Sequence, residues 1–241
     1  MMKRICPAII VVFFMFFNPI RLEAQRINVY ASAGTITSQI DGDELKGFGH
    51  WGFLGGVGAM VALDDNDRWS LSLESTYSGR GVRNTSNNVE NPYNIDLNLH
   101  YVDIPLAVYF KDPYGGINIG IGLMYSRLLS QPHGTISYRP TYFVPDTTDM
   151  SFLKNDLSPV IELRFTIWEK LQFSARYQFS VIPIKKDWHF LEKIDAENDK
   201  VWSNDCFSSA ATFRLIWQFG DNSQSHRKSS YNKKSHKRRR R

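Results

Sequence analysis

YVDIPLAVYF-KDPYGG-INIGIGLMYS, residues 101–126, contains two segments in which apolar residues alternate with small or polar ones. Apolar side chains occupy every second position from Val102 to Phe110 and again from Ile117 to Tyr125. A period of two is typical of a β-strand with one apolar face. Between the segments, Lys111–Gly115 carries Asp, Pro and Gly, which favour tight turns. The stretch predicts a hairpin of two long strands, and Pro105 indicates a bulge in the first.

The same period recurs along the chain from Ile27 onward, without a sustained helical stripe. Eight segments follow it, at about 27–34, 49–63, 69–79, 98–110, 116–130, 157–168, 171–181 and 206–219. Most of them are long enough to cross a lipid bilayer when tilted. Negative mean hydropathy agrees with this prediction, since barrel strands alternate apolar and polar residues.

Short and long connections between these segments alternate without exception. The short ones are 64–68, 111–115 and 168–170, whereas the connections after the first, third, fifth and seventh segments are much longer. Membrane barrels combine short periplasmic turns with long external loops. We therefore predict an all-β fold for residues 25–220: an eight-stranded antiparallel up-and-down transmembrane β-barrel of the cell outer membrane, with both termini on the periplasmic side. A soluble lipocalin-like barrel, apolar inside, is the alternative, but it does not explain this alternation.

The two ends of the chain differ from the body. Residues 1–24 resemble a secretory signal peptide, with Lys3 and Arg4 before the apolar run Ile9–Phe17 and with Ala24 at the expected cleavage site. An uncleaved anchor is the alternative, although the run is short for a bilayer span. Of the two cysteines, only Cys206 would remain after cleavage, which excludes an intramolecular disulfide and a cysteine-based metal site.

The net charge of +5 is unevenly distributed. Residues 221–241 carry +8 and residues 1–24 carry +2, which leaves −5 for the body. We expect 221–241 to be a disordered basic C-terminal tail in the periplasm. It could bind anionic lipid headgroups, anionic cell-wall polymer or an acidic protein. A solvated tail without a partner is equally expected. No nucleic-acid partner is expected. The basic residues of the tail are Arg227, Lys228, Lys233, Lys234, Lys237, Arg238, Arg239, Arg240 and Arg241.

The polar face of the predicted strands carries three acids and three bases. They are Glu74, Asp103, Glu162, Arg164, Arg176 and Arg214. The interior of an eight-stranded barrel has room only for side chains, and buried charges must be paired. We therefore predict an internal ion-pair network and no open pore. A gated pathway or an active site built from the same residues is the alternative interpretation.

The outward face includes aromatic residues that could form membrane-interface girdles, although β-propensity alone would also place aromatics in strands. These residues are Trp51, Trp69, Tyr77, Tyr109, Tyr125, Trp168, Trp217 and Phe219. Four histidines, His50, His100, His133 and His189, are expected at the exposed external rim. The long loops carry further aromatics, which either mark a contact surface or pack on one another. They are Tyr138, Tyr142, Phe143, Trp188, Phe190 and Trp202.

Three motifs resemble a known family. Residues 73–81 read LESTYSGRG, residues 101–106 read YVDIPL and residues 120–123 read GIGL. Together they are similar to the PorT-family outer-membrane β-barrel domain of Bacteroidetes, in which a Tyr-Ser-basic-Gly strand end precedes a Tyr-Leu-Glu-Ile-Pro-Leu strand and a glycine-rich strand. Asp103 stands where that family has Glu. The resemblance implies the same barrel over most of 27–219, and it permits a role in type IX secretion.

Three functions are compatible with these observations. The first is a closed structural or interaction barrel that acts through its loops and tail, with outer-membrane lipid and lipopolysaccharide around it. The second is an accessory component of protein secretion. The third is a surface lipid-modifying enzyme or a narrow transporter. No cluster of His, Asp or Glu suggests a metal site, and no phosphate-binding glycine loop is present in the sequence, so we expect no cofactor and no enzymatic activity.

Overall fold

The structure, a computed structural model, describes residues 27–85, 93–112, 116–138, 143–147, 150–193 and 199–219. These ranges contain eleven strands and no helix. The strands are β1 Ile27–Asp41, β2 His50–Ala62, β3 Trp69–Asn84, β4 Tyr93–Lys111, β5 Ile117–Leu128, β6 His133–Tyr138, β7 Phe143–Pro145, β8 Asn155–Thr166, β9 Leu171–Phe179, β10 Lys185–Lys193 and β11 Asp199–Gln218. Among these residues, no helix could span a membrane. The predicted signal peptide 1–24 and basic tail 221–241 lie outside the described residues.

Eight of the described strands form a closed, fully antiparallel barrel. Their order is β1-β2-β3-β4-β5-β8-β9-β11, and β11 pairs back onto β1 from Tyr30↔Gln218 to Asp41↔Phe207. Closure leaves the barrel without a free sheet edge, which removes the unpaired backbone groups that a lipid environment could not satisfy. The predicted all-β class and strand count are therefore confirmed. The bulge predicted at Pro105 is absent, since β3 and β4 keep one register from Leu73↔Leu106 to Thr76↔Asp103.

The two ends of the barrel differ, as the connection lengths predicted. At one end, short turns join β2 to β3, β4 to β5 and β8 to β9. In the first turn, the Asp64 carboxylate accepts from the backbone N–H of Trp69 at 2.7 Å, and Asp67 takes a positive φ of 54°. At the other end the strands continue into segments that the sequence pattern assigns to loops.

The prediction of long loops at that end is therefore wrong in part. β1 runs to Asp41 rather than to about residue 34, and β3 and β4 extend through parts of the loop expected at 80–97. β6 pairs with β4, while β10 pairs with β11 and with β7. β6 and β10 form because β4 and β11 continue beyond the closed part of the barrel, where their backbone groups would otherwise be unpaired.

Each barrel strand separates an apolar outer face from a polar inner face. On β5, the outward Ile119, Ile121 and Leu123 are 49–65% exposed in the isolated chain. On β3, the inward Ser72, Glu74, Thr76 and Ser78 are buried. A soluble protein has the opposite arrangement, with apolar residues inside and polar residues outside. An apolar outer face is what contact with lipid requires.

A second core lies at the long-connection end, above the polar lumen. We call it the apolar cap. It consists of Ile40, Val82, Tyr93, Ile95, Leu97, Leu99, Tyr101, Leu128, Phe152, Ile184, Trp188, Phe190 and Cys206, all of them buried. The strand extensions at this end thus form a folded unit with its own apolar interior.

Candidate functional site in the barrel lumen

The centre of the lumen holds an ion cluster of two acids and three bases. Glu74 lies on β3, Glu162 and Arg164 on β8, Arg176 on β9 and Arg214 on β11. Each carboxylate contacts all three guanidinium groups, with N···O distances of 2.6–2.9 Å. Because β3 lies across the barrel from β9, Glu74 joins the two walls through the middle of the lumen. We call these five residues the central cluster.

Two tyrosines enclose the guanidinium of Arg164. Its Cζ atom lies 5.2 Å from the ring centre of Tyr30 and 4.1 Å from that of Tyr109. The Tyr30 hydroxyl donates to Glu74 at 2.7 Å, and the Tyr109 hydroxyl donates to Glu162 at 2.8 Å. Arg164 thus combines cation–π contacts with ion pairs in a site closed to solvent.

Glycines opposite the two tyrosines make room for their rings. Tyr30 pairs with Gly58, and Tyr109 pairs with Gly120. A Cβ on Gly58 would lie 2.6 Å from the Tyr30 ring, and a Cβ on Gly120 would lie 2.3 Å from the Tyr109 ring. Any larger side chain at these two positions would therefore displace a ring that holds Arg164 in place.

A second ion cluster lies between the central cluster and the apolar cap. Arg80 donates to Asp103 at 2.5 Å and to Asp156 at 3.2 Å, and its guanidinium lies 4.7 Å from the Tyr101 ring centre. Ser78 also donates to Asp103 at 2.6 Å. This upper cluster has one base and two acids, whereas the central cluster has three bases and two acids. The eight charges balance when both clusters are counted.

The structure therefore brings together five of the six residues predicted to form a single lumen network. Asp103 is the exception, because it pairs with Arg80 in the upper cluster. Sequence reasoning missed Arg80 and Asp156, since the predicted third strand ended at 79 and the sixth began at 157. Extending both segments by one or two residues at the same period would have placed them on the inner face.

Two further sequence predictions are corrected by the positions of the side chains. Tyr109 was expected in an outward girdle but is 1% exposed inside the barrel, where Gly120 leaves space for it. The other seven predicted girdle residues are exposed. His50 was expected at the exposed rim but is 4% exposed, with its ring nitrogens 3.3 Å from the Ser38 hydroxyl and 2.9 Å from the Asn98 amide oxygen.

The remaining rim residues lie as follows. His189 is exposed, and His100 is half-buried with its Nδ1 2.8 Å from the Tyr77 hydroxyl. Trp188, Phe190 and Trp202 pack on one another, with ring centres 5.3 and 6.0 Å apart, so the packing alternative is correct for these three. The structure does not describe Tyr142 or the side chains of His133, Tyr138 and Phe143. Within the described ranges, no group of His, Cys, Asp and Glu could hold a metal ion.

One buried acid lies beside the apolar cap, in the connection after β1. Asp43 is fully buried; one carboxylate oxygen accepts the backbone N–H of Leu45 at 3.0 Å, and the other has no hydrogen-bond partner among the described residues. Burial raises the pKa of Asp43 to about 8. The Tyr93 hydroxyl donates to the Asp43 backbone carbonyl at 2.5 Å and fixes the connection to β4. The protonation state of Asp43 therefore changes near neutral pH.

Comparison with known proteins places the fold in a family. The family model described as the outer membrane protein beta-barrel domain matches residues 10–207. No curated protein matches the chain. Among solved structures, the chain is similar to Neisserial surface protein A, at 11% identity and a TM-score of 0.41, over 79% of this chain and 97% of that one.

Two further structures have comparable scores. Ail, the attachment invasion locus protein of Yersinia pestis, is 14% identical with a TM-score of 0.41, over 80% of this chain and 98% of Ail. OprG, an outer membrane protein of Pseudomonas aeruginosa, is 11% identical with a TM-score of 0.38, over 82% of this chain and 98% of OprG. The identities are too low to carry any residue role across.

Proposed function

Because this chain belongs to the outer membrane protein beta-barrel domain family and lies in the cell outer membrane, we propose that it is a closed scaffold that acts through its two ends rather than through a pore. One observation carries this proposal: Glu74 on β3 contacts arginines on β8, β9 and β11 in the middle of the lumen. A solute crossing the barrel would have to separate these buried pairs, and each uncompensated charge would cost several kcal/mol.

The interaction role rests on the folded state of the long-connection end, which is the external end in barrels of this kind. The described strands at this end pack around the apolar cap, which favours a folded contact surface there. On the opposite side, the basic residues of 221–241 suit an anionic partner in the periplasm, such as cell-wall polymer or an acidic protein.

Solute flux through the purified protein tests the closed lumen. Liposomes containing the folded chain should swell in small sugars no faster than protein-free liposomes, while liposomes with a general porin swell rapidly. Swelling at the rate of the porin control would overturn the proposal. A heat-dependent shift in gel migration, measured on the same sample, verifies that the reconstituted protein is folded.

A second function, accessory to protein secretion, is supported only by the PorT-like motifs around Tyr101–Leu106. It predicts that deletion of the gene reduces the amount of exported protein in the medium, and unchanged export would exclude it. The enzymatic or transport alternative has less support, because the described partner of His100 is Tyr77 rather than a nucleophile with a base. Lipid analysis of the same deletion strain tests it.

A further inference from the structure

The inner layer of the lumen on the short-turn side of the central cluster carries bases but no acid. Strand register places Lys111, Asn118 and Arg164 side by side in one row across β4, β5 and β8. The inner positions described between this row and the turns hold amide, hydroxyl and apolar side chains, among them Asn28, Ser70, Thr166 and Gln172. The acids at this end lie in the turns instead, at Asp64, Asp65, Asp67, Asp112 and Glu169. We call the row and the inner positions beside it the lower layer.

Three buried polar atoms of the lower layer have no hydrogen-bond partner among the described residues. They are Nη1 of Arg164 and the side-chain oxygens of Asn118 and Gln172. Arg164 is 0% exposed at its side chain, and the two amide residues are each 7% exposed. Asn118 is the direct cross-strand neighbour of Arg164, and Gln172 lies one inner position further on the other side, opposite Thr166. Because buried polar groups are normally hydrogen-bonded, these neighbouring groups indicate a bound ligand.

The charge of the lower layer indicates which ligand. The central cluster has one positive charge in excess, since its three guanidinium groups share two carboxylates. The acids of the upper cluster lie on the other side: Asp156 precedes Arg164 by eight residues on β8, which is about 27 Å of strand. Lys111 is exposed at the mouth and forms no ion pair in the part of the chain that the structure describes. The lower layer is therefore positive, and a guanidinium N–H in it is free to donate.

We propose that Arg164, Asn118 and Lys111 bind a small inorganic anion of the size of chloride, which enters the lumen from the periplasmic end. Nη1 of Arg164 donates a charge-assisted hydrogen bond to the anion, and the ammonium group of Lys111 attracts it from the mouth. The amide of Asn118 rotates to present its NH2 group, which occupies the same volume as its oxygen. Only a small ion fits, because side chains fill the interior of an eight-stranded barrel.

Water is the competing ligand. A water molecule satisfies one donor and two acceptors as they stand, but it leaves the excess positive charge in place. An anion neutralises that charge, which is why the charge distribution favours the anion. The site goes beyond the scaffold role, and the swelling experiment is unaffected by it, since the anion enters and leaves at the same end.

Thermal unfolding in two salts tests this site. The melting temperature of the folded chain in detergent micelles is measured in sodium chloride and in sodium gluconate at equal ionic strength. Gluconate is too large to reach Arg164, whereas chloride stabilises the folded state by binding to it. We expect a higher melting temperature in chloride, and a difference that grows with the chloride concentration until it saturates. Equal melting temperatures in the two salts would overturn the proposal and would indicate water at the unpartnered atoms.

Two variants and one control locate the anion. Asn118→Asp has nearly the same shape but places a carboxylate beside Arg164, so it should raise the melting temperature in gluconate and abolish the dependence on chloride. Lys111→Gln changes only an exposed position and should raise the half-saturating chloride concentration several-fold. The control Asn94→Asp alters an amide at the other end of β4, whose side-chain oxygen is also unpartnered, and it should respond to chloride as the wild type does.

The outcomes for these variants separate the lower layer from other positive surfaces. A wild-type response to chloride in Asn118→Asp would overturn the assignment, because the anion would then bind elsewhere, for example at exposed bases. An unchanged half-saturating concentration in Lys111→Gln, or a loss of the response in Asn94→Asp, would also overturn it. The gel-migration shift verifies that every variant is folded.

Discussion

Arg164 is fully buried in the barrel, where it contacts two carboxylates and lies between two tyrosine rings. Burying a single ion costs several kcal/mol, and this cost is offset only when the geometry and the remaining hydrogen bonds are favourable. Here three guanidinium groups share two carboxylates. The hydroxyl groups of Tyr30, Tyr109 and Ser174 donate further hydrogen bonds to these carboxylates. The charges are therefore stable only as a group.

The variant Glu74→Gln tests this mutual dependence. It leaves three arginines around one carboxylate, so we expect the free energy of unfolding to fall by about 3–5 kcal/mol. Urea unfolding of the protein in lipid vesicles, followed by tryptophan fluorescence, measures the change. Glu192→Gln, at an exposed position of β10, is the matched control and should change stability by less than about 0.5 kcal/mol. A similar small effect for both variants would contradict the account of the central cluster.

A second prediction at this scale concerns Asp43. Its pKa is about 8 in the folded protein, above that of an unfolded aspartate near 3.8, so the folded state binds the extra proton between these values. Stability should therefore fall as the pH rises from about 4 to 8, and the loss should be complete above pH 8. We expect Asp43→Asn to raise the melting temperature at pH 9 relative to the wild type and to change it little at pH 5. An equal effect of the substitution at both pH values would show that Asp43 is charged throughout.

At the scale of the strand, glycines determine which side chains can fill the lumen. Gly58 and Gly120 lie on the inner face and leave space for the rings of Tyr30 and Tyr109. The tyrosines in turn orient Arg164. The absence of side chains at these two glycines of β2 and β5 therefore affects the position of Arg164 in the ion cluster. The glycines of β2 also include Gly55, where an added Cβ would meet only the Ser32 carbonyl oxygen, at 3.7 Å.

Alanine substitutions on β2 separate these roles. Gly58→Ala should reduce the free energy of unfolding by about 1–3 kcal/mol, because the new methyl group overlaps the Tyr30 ring. Gly55→Ala, three residues away on the same strand, should be neutral or stabilise by up to about 1 kcal/mol through a less flexible unfolded chain. The two variants are compared by the same urea unfolding assay. Equal destabilisation would indicate a general intolerance of β2 rather than a ring contact.

At the scale of the whole molecule, the chain combines a polar-centred barrel with an apolar cap at one end. The two parts have opposite interiors, yet they share β1, β3, β4, β5 and β11. Lipid contact on the outside requires the first arrangement, and water around the strand extensions requires the second. We therefore expect that the cap can lose its packing while the barrel, held by its closed hydrogen-bond network, stays intact.

Trp188→Ala tests this independence. Trp188 is 1% exposed within the cap, and its indole N–H donates to the Asp146 carbonyl at 2.8 Å. We expect the variant to keep the heat-dependent gel shift of the barrel but to become sensitive to protease in β10 and in the adjoining part of β11. Loss of the gel shift together with the cap would show that barrel and cap unfold as one unit.

Much of this fold was predictable from the sequence, because the signals are local. The period of two and the turn residues at 64–68, 111–115 and 168–170 identified eight strands and their alternating connections, and they placed Glu74, Glu162, Arg164, Arg176 and Arg214 on the inner face. Strand ends at the long-connection side were less well predicted. On β4 the signal was present, since apolar residues from Tyr93 to Leu99 alternate with polar ones, whereas β6 and β10 depend on pairing with β4 and β11.

Only the tertiary structure decided which charges meet. Glu74 and Arg214 are 140 residues apart, and their contact depends on the closure of β11 onto β1 and on the register of every strand between them. The same dependence moved Asp103 into a pair with Arg80 and buried His50 beside Ser38. The inward position of Tyr109, by contrast, follows from the alternation along β4, in which it shares the inner face with Asp103. The sequence by itself determined the strands and the composition of the lumen, because side-chain alternation is a property of each strand. Which charges pair depends on the closed barrel, so the pairing cannot be inferred from any single segment.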